Sequence, residues 1–330
     1  MLSLKENFFE TLKNGKPDAF VNEWEVFPQV WDPIFYYMYP IMPMSGQTVK
    51  NPLGVSIFWG ENEPGAMPIV NEETKVIRDV TKWRDYVEFF DFRDRGLDWT
   101  QAKADADKIR ADGKFVMVWN VTGLFEMSHF LMGFEDTLCN LLEEPEAMHD
   151  LINAIKDFKI KQQEYIIDEL KPDVLMTHDD WGSKRALFMS PDIWREFYKE
   201  PWREIFKTIK SRGVITMHHA DSYCEPIVKD MVDLGIDIWQ GVLPSNDIMK
   251  IKKETDHKLV LMGGIDASIV DRADWTEDVV RAETERACRE YRDGGMFIPC
   301  LTYGGEGSIF PGVNDCIMDE IRKQDKIYFK

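Results

Sequence analysis

The sequence predicts an α/β protein: a single (β/α)8 TIM barrel with an amino-terminal extension over the barrel mouth. Two observations support this fold class. Short apolar runs recur along the chain, and helix-like segments separate most of them. That alternation is typical of a parallel sheet buried on both faces. Most of the runs also end in polar or thiol residues, and a barrel enzyme builds its site where the strands end.

Eight such runs are predicted strands, and each is followed by residues that can do chemistry. In chain order they are 19–21 before Asn22 and Glu23, 55–59 before Glu61, 115–119 before Asn120, 174–176 before His178, Asp179 and Asp180, 214–217 before His218, His219 and Asp221, 236–239 before Gln240, 259–262 before Asp266, and 296–299 before Cys300. The carboxyl ends of parallel strands meet at one edge of the sheet, so we expect these side chains to surround one site.

A chain of 330 residues matches one barrel with insertions. We therefore expect a single domain over 1–330, with the extension and first strands in 1–95 and the regular βα core in 96–330. Segment 24–44 contains seven aromatic residues and four prolines. Prolines at this density interrupt a regular helix, so the segment is predicted to form a lid or wall over a pocket, or else an irregular part of the core. Residues 69–70 and 74–80 are predicted strands of a hairpin.

Helices are predicted from apolar periodicity and from their end signals. The opening residues form an amphipathic helix with a Ser3/Glu6 capping box. The other predicted helices are 98–111, 122–132, 134–143, 145–170, the segment from Ser190 to Gly213 with a kink at Pro201, 225–234, 245–256, 276–293 and 313–323.

Composition excludes several classes of partner. The net charge of −19 argues against nucleic acid and anionic membrane surfaces, since both reward basic patches. No apolar run is long enough to span a bilayer, and because the opening residues are predicted to form an amphipathic helix we expect no secretory leader there. The five cysteines are scattered, without CxxC spacing. That pattern is typical of a reduced protein, so we expect a cytoplasmic location.

The run at His219 is the sharpest candidate metal site. Residues two apart on a strand point the same way, so His219 and Asp221 can address one point while His218 faces the opposite side. Cys300 ends a later strand and can approach that point. An imidazole, a carboxylate, a thiolate and an open position make a catalytic zinc set. In the alternative interpretation, the histidine is a hydrogen-bonded structural residue and Cys300 is a small buried one.

The run at His178 is a second cluster. His178 and Asp180 share a direction, and Asp179 opposes them. The first two are candidate catalytic residues that pass protons to a leaving group. Alternatively, one aspartate caps the following turn and the other holds backbone amides.

Further candidates come from the other strand ends and from the aromatic segment. Glu23 is a candidate catalytic residue and a spare oxygen ligand. Asn22, Trp24, Asn120 and Tyr303 are candidate substrate-binding residues. Their hydrogen-bonding and aromatic side chains suit the lining of a small-molecule pocket.

From residue 115 onwards the chain resembles the uroporphyrinogen decarboxylase superfamily, and most of all its cobalamin-dependent methyltransferase branch. The resembling segments follow the family's order and spacing: Thr122-Gly123-Leu124-Phe125-Glu126, Gly133-Phe134-Glu135-Asp136, Glu144-Pro145-Glu146, Asp179-Asp180-Trp181-Gly182, Met189-Ser190-Pro191-Asp192-Ile193-Trp194, His219-Ala220-Asp221 and Met262-Gly263-Gly264-Ile265-Asp266.

The resemblance implies a zinc site. In that branch a His-x-Cys pair and a more distant cysteine bind zinc. His219 matches the histidine and Cys300 the distant cysteine, whereas Asp221 stands where the first cysteine would be. A carboxylate donates less charge to zinc than a thiolate does. A site with Asp221 therefore suits polarising an ether oxygen rather than binding a thiol acceptor.

The resemblance also implies a corrinoid (cobalamin) cofactor. The sequence has no Asp-x-His-x-x-Gly segment, so we expect a separate corrinoid protein as partner. The predicted function is a zinc-dependent methyltransferase that moves a methyl group between that partner and a small methylated substrate, such as a methoxyaromatic (O-demethylation). The alternatives are a methylcobamide:thiol or methylcobamide:tetrahydrofolate methyltransferase, a uroporphyrinogen decarboxylase-like decarboxylase, and a non-catalytic binder. Residues 15–40 hold one lysine and no arginine, which disfavours a substrate with many carboxylates.

Overall fold

The structure is a computed structural model that describes residues 1–40, 46–60, 66–303 and 309–329. The predicted site residue Glu61 lies outside these ranges. In chain order the strands are β1 (Gln29–Val30), β2 (Thr48–Lys50), β3 (Ser56–Phe58), β4 (Met67–Pro68), β5 (Met117–Asn120), β6 (Val174–His178), β7 (Ile215–His219), β8 (Ile238–Val242), β9 (Val260–Ile265) and β10 (Phe297–Leu301).

Seven of these strands form one parallel sheet in the order β1-β5-β6-β7-β8-β9-β10, and helices connect them. The α/β fold class is therefore confirmed. The runs at 115, 174, 214, 236, 259 and 296 became β5 to β10. Strands β2, β3 and β4 form a small separate antiparallel sheet.

The helices lie between and around the strands. They are α1 (Leu4–Leu12), α2 (Pro33–Met38), α3 (Thr100–Ala111), α4 (Leu124–Met132), α5 (Phe134–Glu143), α6 (Pro145–Leu170), α7 (Pro191–Trp194), α8 (Glu200–Ser211), α9 (Val228–Leu234), α10 (Ile248–Glu254), α11 (Ala267–Val270), α12 (Glu277–Tyr291) and α13 (Val313–Tyr328). Short 3-10 turns occupy Val80–Asp85, Phe92–Arg95 and Glu225–Ile227. A π-helical turn, Arg195–Lys199, separates α7 from α8 just before Pro201, whose ring removes an amide donor.

Two predicted strands of the barrel were wrong in position. The run at 19–21 forms no strand, because the Phe20 amide donates instead to the Asp325 side chain at 2.7 Å. The Leu301 amide of β10 likewise donates to the Glu23 side chain at 3.0 Å. Hydrogen bonds between backbone amides and side chains therefore hold residues 19–23 in place of the expected backbone hydrogen bonds of a strand. The run at 55–59 forms β3 of the small sheet.

The predicted strand at 74–80 was also wrong. The amides of Val76 and Ile77 both donate to the Leu131 carbonyl at the end of α4, at 2.8 and 2.9 Å. Those hydrogen bonds hold the segment against a helix rather than against a strand.

Among the helices in the described parts of the chain, none has the length and apolar composition of a membrane span.

The amino-terminal extension is divided between the two ends of the sheet. Helix α1 begins with the predicted Ser3/Glu6 capping box and buries Phe8 completely. The Phe8 ring contacts Phe27 and Phe115, with centroids 5.5 and 5.2 Å away. Phe115 precedes β5, so α1 closes the amino ends of the strands. Helix α2 lies at their carboxyl ends, beside Trp119.

We predict that Phe8→Ala lowers the free energy of unfolding by roughly 3–5 kcal/mol, since a fully buried aromatic side chain leaves a cavity. Denaturant unfolding measures the change. The neighbouring Phe9, which is 45% exposed, supplies the matched control Phe9→Ala, and its loss should be clearly smaller. Equal losses of unfolding free energy in the two variants would mean that α1 does not pack Phe8 against the amino ends of the strands.

Candidate metal centre at the carboxyl ends of the strands

The register of three neighbouring strands brings three polar side chains side by side. His178 of β6 is paired with His219 of β7, and His219 with Gln240 of β8. The residues two positions earlier, Met176 and Met217, belong to the apolar core inside the sheet. Because side chains alternate along a strand, His178 and His219 face this same interior, one layer nearer the carboxyl ends.

His218 faces the other way, as strand alternation predicts. It is completely buried and stacks on Trp181 with ring centroids 4.2 Å apart. Its Nδ1 lies 2.7 Å from the hydroxyl of Thr177. His218 is thus part of the packing between the sheet and its helices.

His178, Asp180 and His219 form a compact ligand set. One potential ligand atom from each lies within 4.8 Å of the others, a geometry that can hold a metal ion. The two imidazoles stack at a centroid distance of 4.4 Å and an angle of 16°. Of the described residues, these three meet that geometric condition.

Each imidazole is held through its Nδ1 atom. His178 Nδ1 bonds to Glu126 Oε2 at 2.8 Å, and His219 Nδ1 bonds to Gln240 Oε1. Gln240 Nε2 in turn donates to the Thr302 carbonyl at 2.9 Å, which turns Oε1 towards His219. These bonds occupy Nδ1 of both rings, so Nε2 is the nitrogen with which each ring could bind a metal ion.

The donor set fits zinc. A histidine that binds a metal usually donates its other ring N–H to a carboxylate or a carbonyl, and both imidazoles have such a partner here. Two histidines and one carboxylate, with a position left open, form a known type of catalytic zinc site. His178 and Asp180 are partly exposed, so small molecules can reach the cluster.

Several carboxyl groups crowd this layer. Asp180 is partly exposed at the mouth, but the enclosure of its carboxyl by surrounding side chains raises its pKa to about 7; the Glu126 and Asp221 charges add to the rise, while His178 and His219 oppose it. Burial likewise raises the pKa of Glu126 to about 7. For His219, burial and the nearby His178 lower the pKa. An opposite charge close to these carboxyls favours their ionised form.

Asp179 points away from the cluster and holds backbone and side-chain donors. Its carboxylate accepts the amides of Phe125 and Glu126 at 3.1 and 2.9 Å, and the indole N–H groups of Trp181 and Trp202 at 2.9 and 3.2 Å. The interpretation that one of the two aspartates holds backbone amides therefore describes Asp179. Asp180 accepts the amide of Asp221.

The expected zinc ligands His219, Asp221 and Cys300 do not form a compact group of ligand atoms like that of His178, Asp180 and His219. Asp221 is half-buried and its amide donates to Asp180 at 3.0 Å, but its carboxylate is not in the compact set. Cys300 is completely buried, and its thiol donates to the Leu301 carbonyl at 2.9 Å. The Gln240 side chain bonds to both His219 and Cys300, so the imidazole and the thiol share one amide partner.

Glu23 lies beside Cys300 rather than in the cluster. The glutamate is 1% exposed, and its Oε1 accepts the Leu301 amide while its Oε2 has no partner. Burial raises its pKa to about 7. Burial and the Glu23 charge raise the pKa of the Cys300 thiol well above its usual value.

The two expected amide residues face away from the cluster. Asn22 donates to the Met318 carbonyl of α13 at 3.0 Å. Asn120 accepts from Lys159 of α6, a completely buried ammonium whose pKa burial lowers to about 7. Both asparagine side chains therefore point to the outer face of the sheet, where they contact helices α13 and α6 rather than a pocket.

The two expected aromatic residues are also engaged elsewhere. Trp24 packs on Phe27 at 6.0 Å, in the cluster that closes the amino ends of the strands. The backbone of Glu23 has a left-handed φ of 48°, which turns the chain in that direction. Tyr303 donates its hydroxyl to Asp271 at 2.8 Å.

Aromatic rings lead from the surface to the cluster. We call Trp31, Phe35 and Trp119 the aromatic wall. Trp31 and Phe35 have centroids 4.6 Å apart, and Phe35 and Trp119 stack at 6.3 Å and 21°. Trp119 lies 5.7 Å from the His178 ring. The part of segment 24–44 around α2 thus supplies one side of the site.

Comparison with known proteins identifies the family. The family model described as Uroporphyrinogen decarboxylase (URO-D) matches residues 41–312. The chain belongs to the uroporphyrinogen decarboxylase family. A search of curated proteins found no match.

Solved structures confirm the fold of this family member. A methyltransferase from Methanosarcina mazei superposes with a TM-score of 0.67 at 15% identity, covering 99% of this chain and 100% of that one. An endo-beta-N-acetylglucosaminidase from Cordyceps militaris has a TM-score of 0.38 at 9% identity, covering 68% of this chain and 74% of that one. At such identities the first likeness shows the fold alone, and the second carries no further argument.

Sequence reasoning assigned no role to three residues of this site. Gln240 ends a predicted strand, and that position was the available signal for it. Glu126 lies in a segment that carries the family resemblance, but it reaches His178 only because α4 docks against the end of β6. Trp119 was interpreted as an apolar strand residue; it is paired with Met176, one layer below the cluster, and its ring lies 5.7 Å from that of His178.

We predict that the adjacent Asp179 and Asp180 separate stability from function. In Asp179→Asn, an NH2 group replaces one of the carboxylate oxygens that accept hydrogen bonds from four N–H groups. The free energy of unfolding should fall by about 1.5–3 kcal/mol, the value typical of hydrogen bonds to charged groups. Asp180→Asn should cost clearly less. Chemical unfolding of the metal-free proteins gives both values, and similar losses would contradict the division of roles.

Proposed function

We propose that this protein is a zinc-dependent methyltransferase of the uroporphyrinogen decarboxylase family. It moves a methyl group between a small methylated substrate, of the methoxyaromatic class, and a separate corrinoid protein. The observation that carries this proposal is the cluster of His178, Asp180 and His219 beside the aromatic wall. The structural likeness to a methyltransferase is consistent with it.

We assign zinc to His178, Asp180 and His219 rather than to the set with Cys300. The three side chains share one point, and both imidazoles are oriented through Nδ1. When bound, zinc supplies a Lewis acid that polarises an ether oxygen and stabilises the leaving alkoxide or phenoxide. Two neutral imidazoles and one carboxylate leave a net positive charge on the site, which suits that chemistry.

The chain's own residues orient the substrate. Trp119 lies between Phe35 and His178, so a planar ring that stacks on the wall has its substituents near the cluster. Stacked aromatic pairs gain about 0.5–1.5 kcal/mol beyond burial of their area. The indole N–H of Trp119 is shielded from solvent and has no partner, so it can donate to an oxygen of the substrate.

The corrinoid supplies the cobalt nucleophile that exchanges the methyl group, and a partner protein carries it to the site. The access route is the carboxyl end of the sheet, where His178 and Asp180 are partly exposed. Exclusion of water by the wall would keep water from competing with the ether oxygen for the open position of the metal site.

The zinc assignment gives the first test of this function. We predict that the purified protein binds one zinc ion, and that His219→Ala abolishes binding. Asp180→Asn should weaken binding strongly, whereas Cys300→Ser should leave it near the wild-type value because the thiol faces Glu23 and Leu301. Elemental analysis after dialysis against a chelator series measures this. Loss of zinc in Cys300→Ser with retention in Asp180→Asn would overturn the assignment in favour of the set with Cys300.

The transfer itself is tested with free cob(I)alamin as methyl acceptor and a methoxybenzoate as donor, under a reducing agent. We expect methylcobalamin to form, seen as loss of the cobalt(I) absorbance. Trp119→Leu should raise KM for the donor by up to about 10-fold, the equivalent of 1.4 kcal/mol of lost stacking.

The control for this assay is Tyr86→Leu, an exposed aromatic residue outside the wall, which should not change KM. Methyl transfer from methylcobalamin to a thiol or to tetrahydrofolate, without ether cleavage, would replace the O-demethylase assignment. Release of carbon dioxide from a porphyrinogen would contradict the methyltransferase proposal altogether.

A further inference from the structure

The two imidazoles of the cluster are held by different chemical groups. His178 Nδ1 lies against the carboxylate of Glu126, whereas His219 Nδ1 lies against the neutral amide of Gln240. A carboxylate partner fixes the tautomer of an imidazole and raises its basicity as a ligand more than an amide does. The two rings, although stacked, are therefore unequal donors.

The position of Glu126 is built into the fold. It is the third residue of α4 and is 8% exposed. The Asp179 carboxylate holds the amides of Phe125 and Glu126, so β6 fixes the first turn of α4 directly. The Glu126 side chain then reaches back over that turn to His178, on the opposite side of β6 from Asp179.

Gly123 allows this close approach. A Cβ atom there would lie 2.3 Å from the Asp179 Cβ and 2.4 Å from the His178 carbonyl oxygen. Its φ of −79° is open to any residue, so space rather than backbone conformation requires glycine. The start of α4 is thus pressed onto the end of β6, with no room for a side chain between them.

We propose that Glu126 is the positioning residue of this metal centre: it accepts the Nδ1 proton of His178, directs Nε2 to the ion, and makes His178 the stronger of the two imidazole donors. This inference rests on the metal site of the proposed function. Glu126 acts through His178 and contacts neither the ion nor the substrate.

The test compares Glu126→Gln, Glu126→Asp and a matched control, Glu135→Gln, on the exposed surface of the next helix. Zinc affinity is measured by competition with a chromophoric chelator, and cobalt(II)-substituted protein reports the ligand field in its visible spectrum. Glu126→Gln should weaken zinc binding roughly 10–100-fold and shift the cobalt spectrum, as loss of such a partner does elsewhere. Glu126→Asp should do the same more mildly, and Glu135→Gln should match the wild type.

A second variant tests the hydrogen bond between Glu126 and His178 by displacing the backbone of α4. Gly123→Ala forces α4 away from β6 and should reproduce the loss of affinity with Glu126 itself unchanged. Melting of the metal-free proteins separates structure from positioning. In one outcome, Glu126→Gln lowers the melting temperature while its folded form keeps the zinc affinity and the cobalt(II) spectrum of the wild type. That result would overturn the positioning role.

A readout without metal distinguishes this inference from the proposed function. Nitrogen-15 NMR of histidine-labelled metal-free protein shows which ring nitrogen of His178 carries the proton. We expect the Nδ1–H form in the wild type and a mixture of tautomers in Glu126→Gln. If the wild type binds no zinc yet the tautomer changes in Glu126→Gln, the zinc assignment of the proposed function fails, while the orientation of His178 by Glu126 stands. An identical tautomer in both proteins would contradict the positioning role.

Discussion

The site depends on the register of β6, β7 and β8. Because His178, His219 and Gln240 are direct neighbours across these strands, one layer of the sheet holds two stacked imidazoles and the amide that orients the second. A shift of β7 by one residue would exchange His219 for His218 and bring into the interior the histidine that now stacks on Trp181. The apolar layer beneath, from Met176 and Met217, sets that register by burial.

Around this layer, charge is balanced by chain segments that are distant in sequence. Asp179 joins the end of β6 to the start of α4, and Glu126 on that helix returns to His178. Burial lowers the pKa of Lys159 of α6 to about 7, while the charges of Asp179 and Glu126 oppose that fall. Packing of helices on the sheet therefore determines the electrostatics of the cluster.

Much of the fold could be predicted from the sequence. Strands β5 to β10 are short apolar runs of the kind found in a parallel sheet, and alternation placed His218 and Asp179 opposite their neighbours. The run at 19–21 has the same apolar signature but forms no strand, since its amide partner is the Asp325 side chain about three hundred residues away. Such long-range pairs leave no local signal in a sequence.

The site was predictable only in part. Strand ends predicted that His178, Asp180 and His219 would meet at one edge of the sheet, as they do, although only His219 was predicted as a metal ligand. Periodicity could not show that Gln240 bonds to both His219 and Cys300, or that Asn120 accepts a hydrogen bond from Lys159. Both outcomes depend on side-chain conformations that the surrounding helices impose. The family resemblance implied Cys300 as a ligand, whereas the compact group of potential ligand atoms contains Asp180.

The central claim is that two imidazoles and a carboxylate, without sulfur, form the metal centre. X-ray absorption at the zinc K-edge of the zinc-loaded wild-type protein tests it most directly. The account predicts a shell of nitrogen and oxygen ligands at about 2.0–2.2 Å, with the multiple-scattering pattern of two imidazoles. A sulfur ligand at about 2.3 Å would contradict it, because Cys300 would then bind the ion.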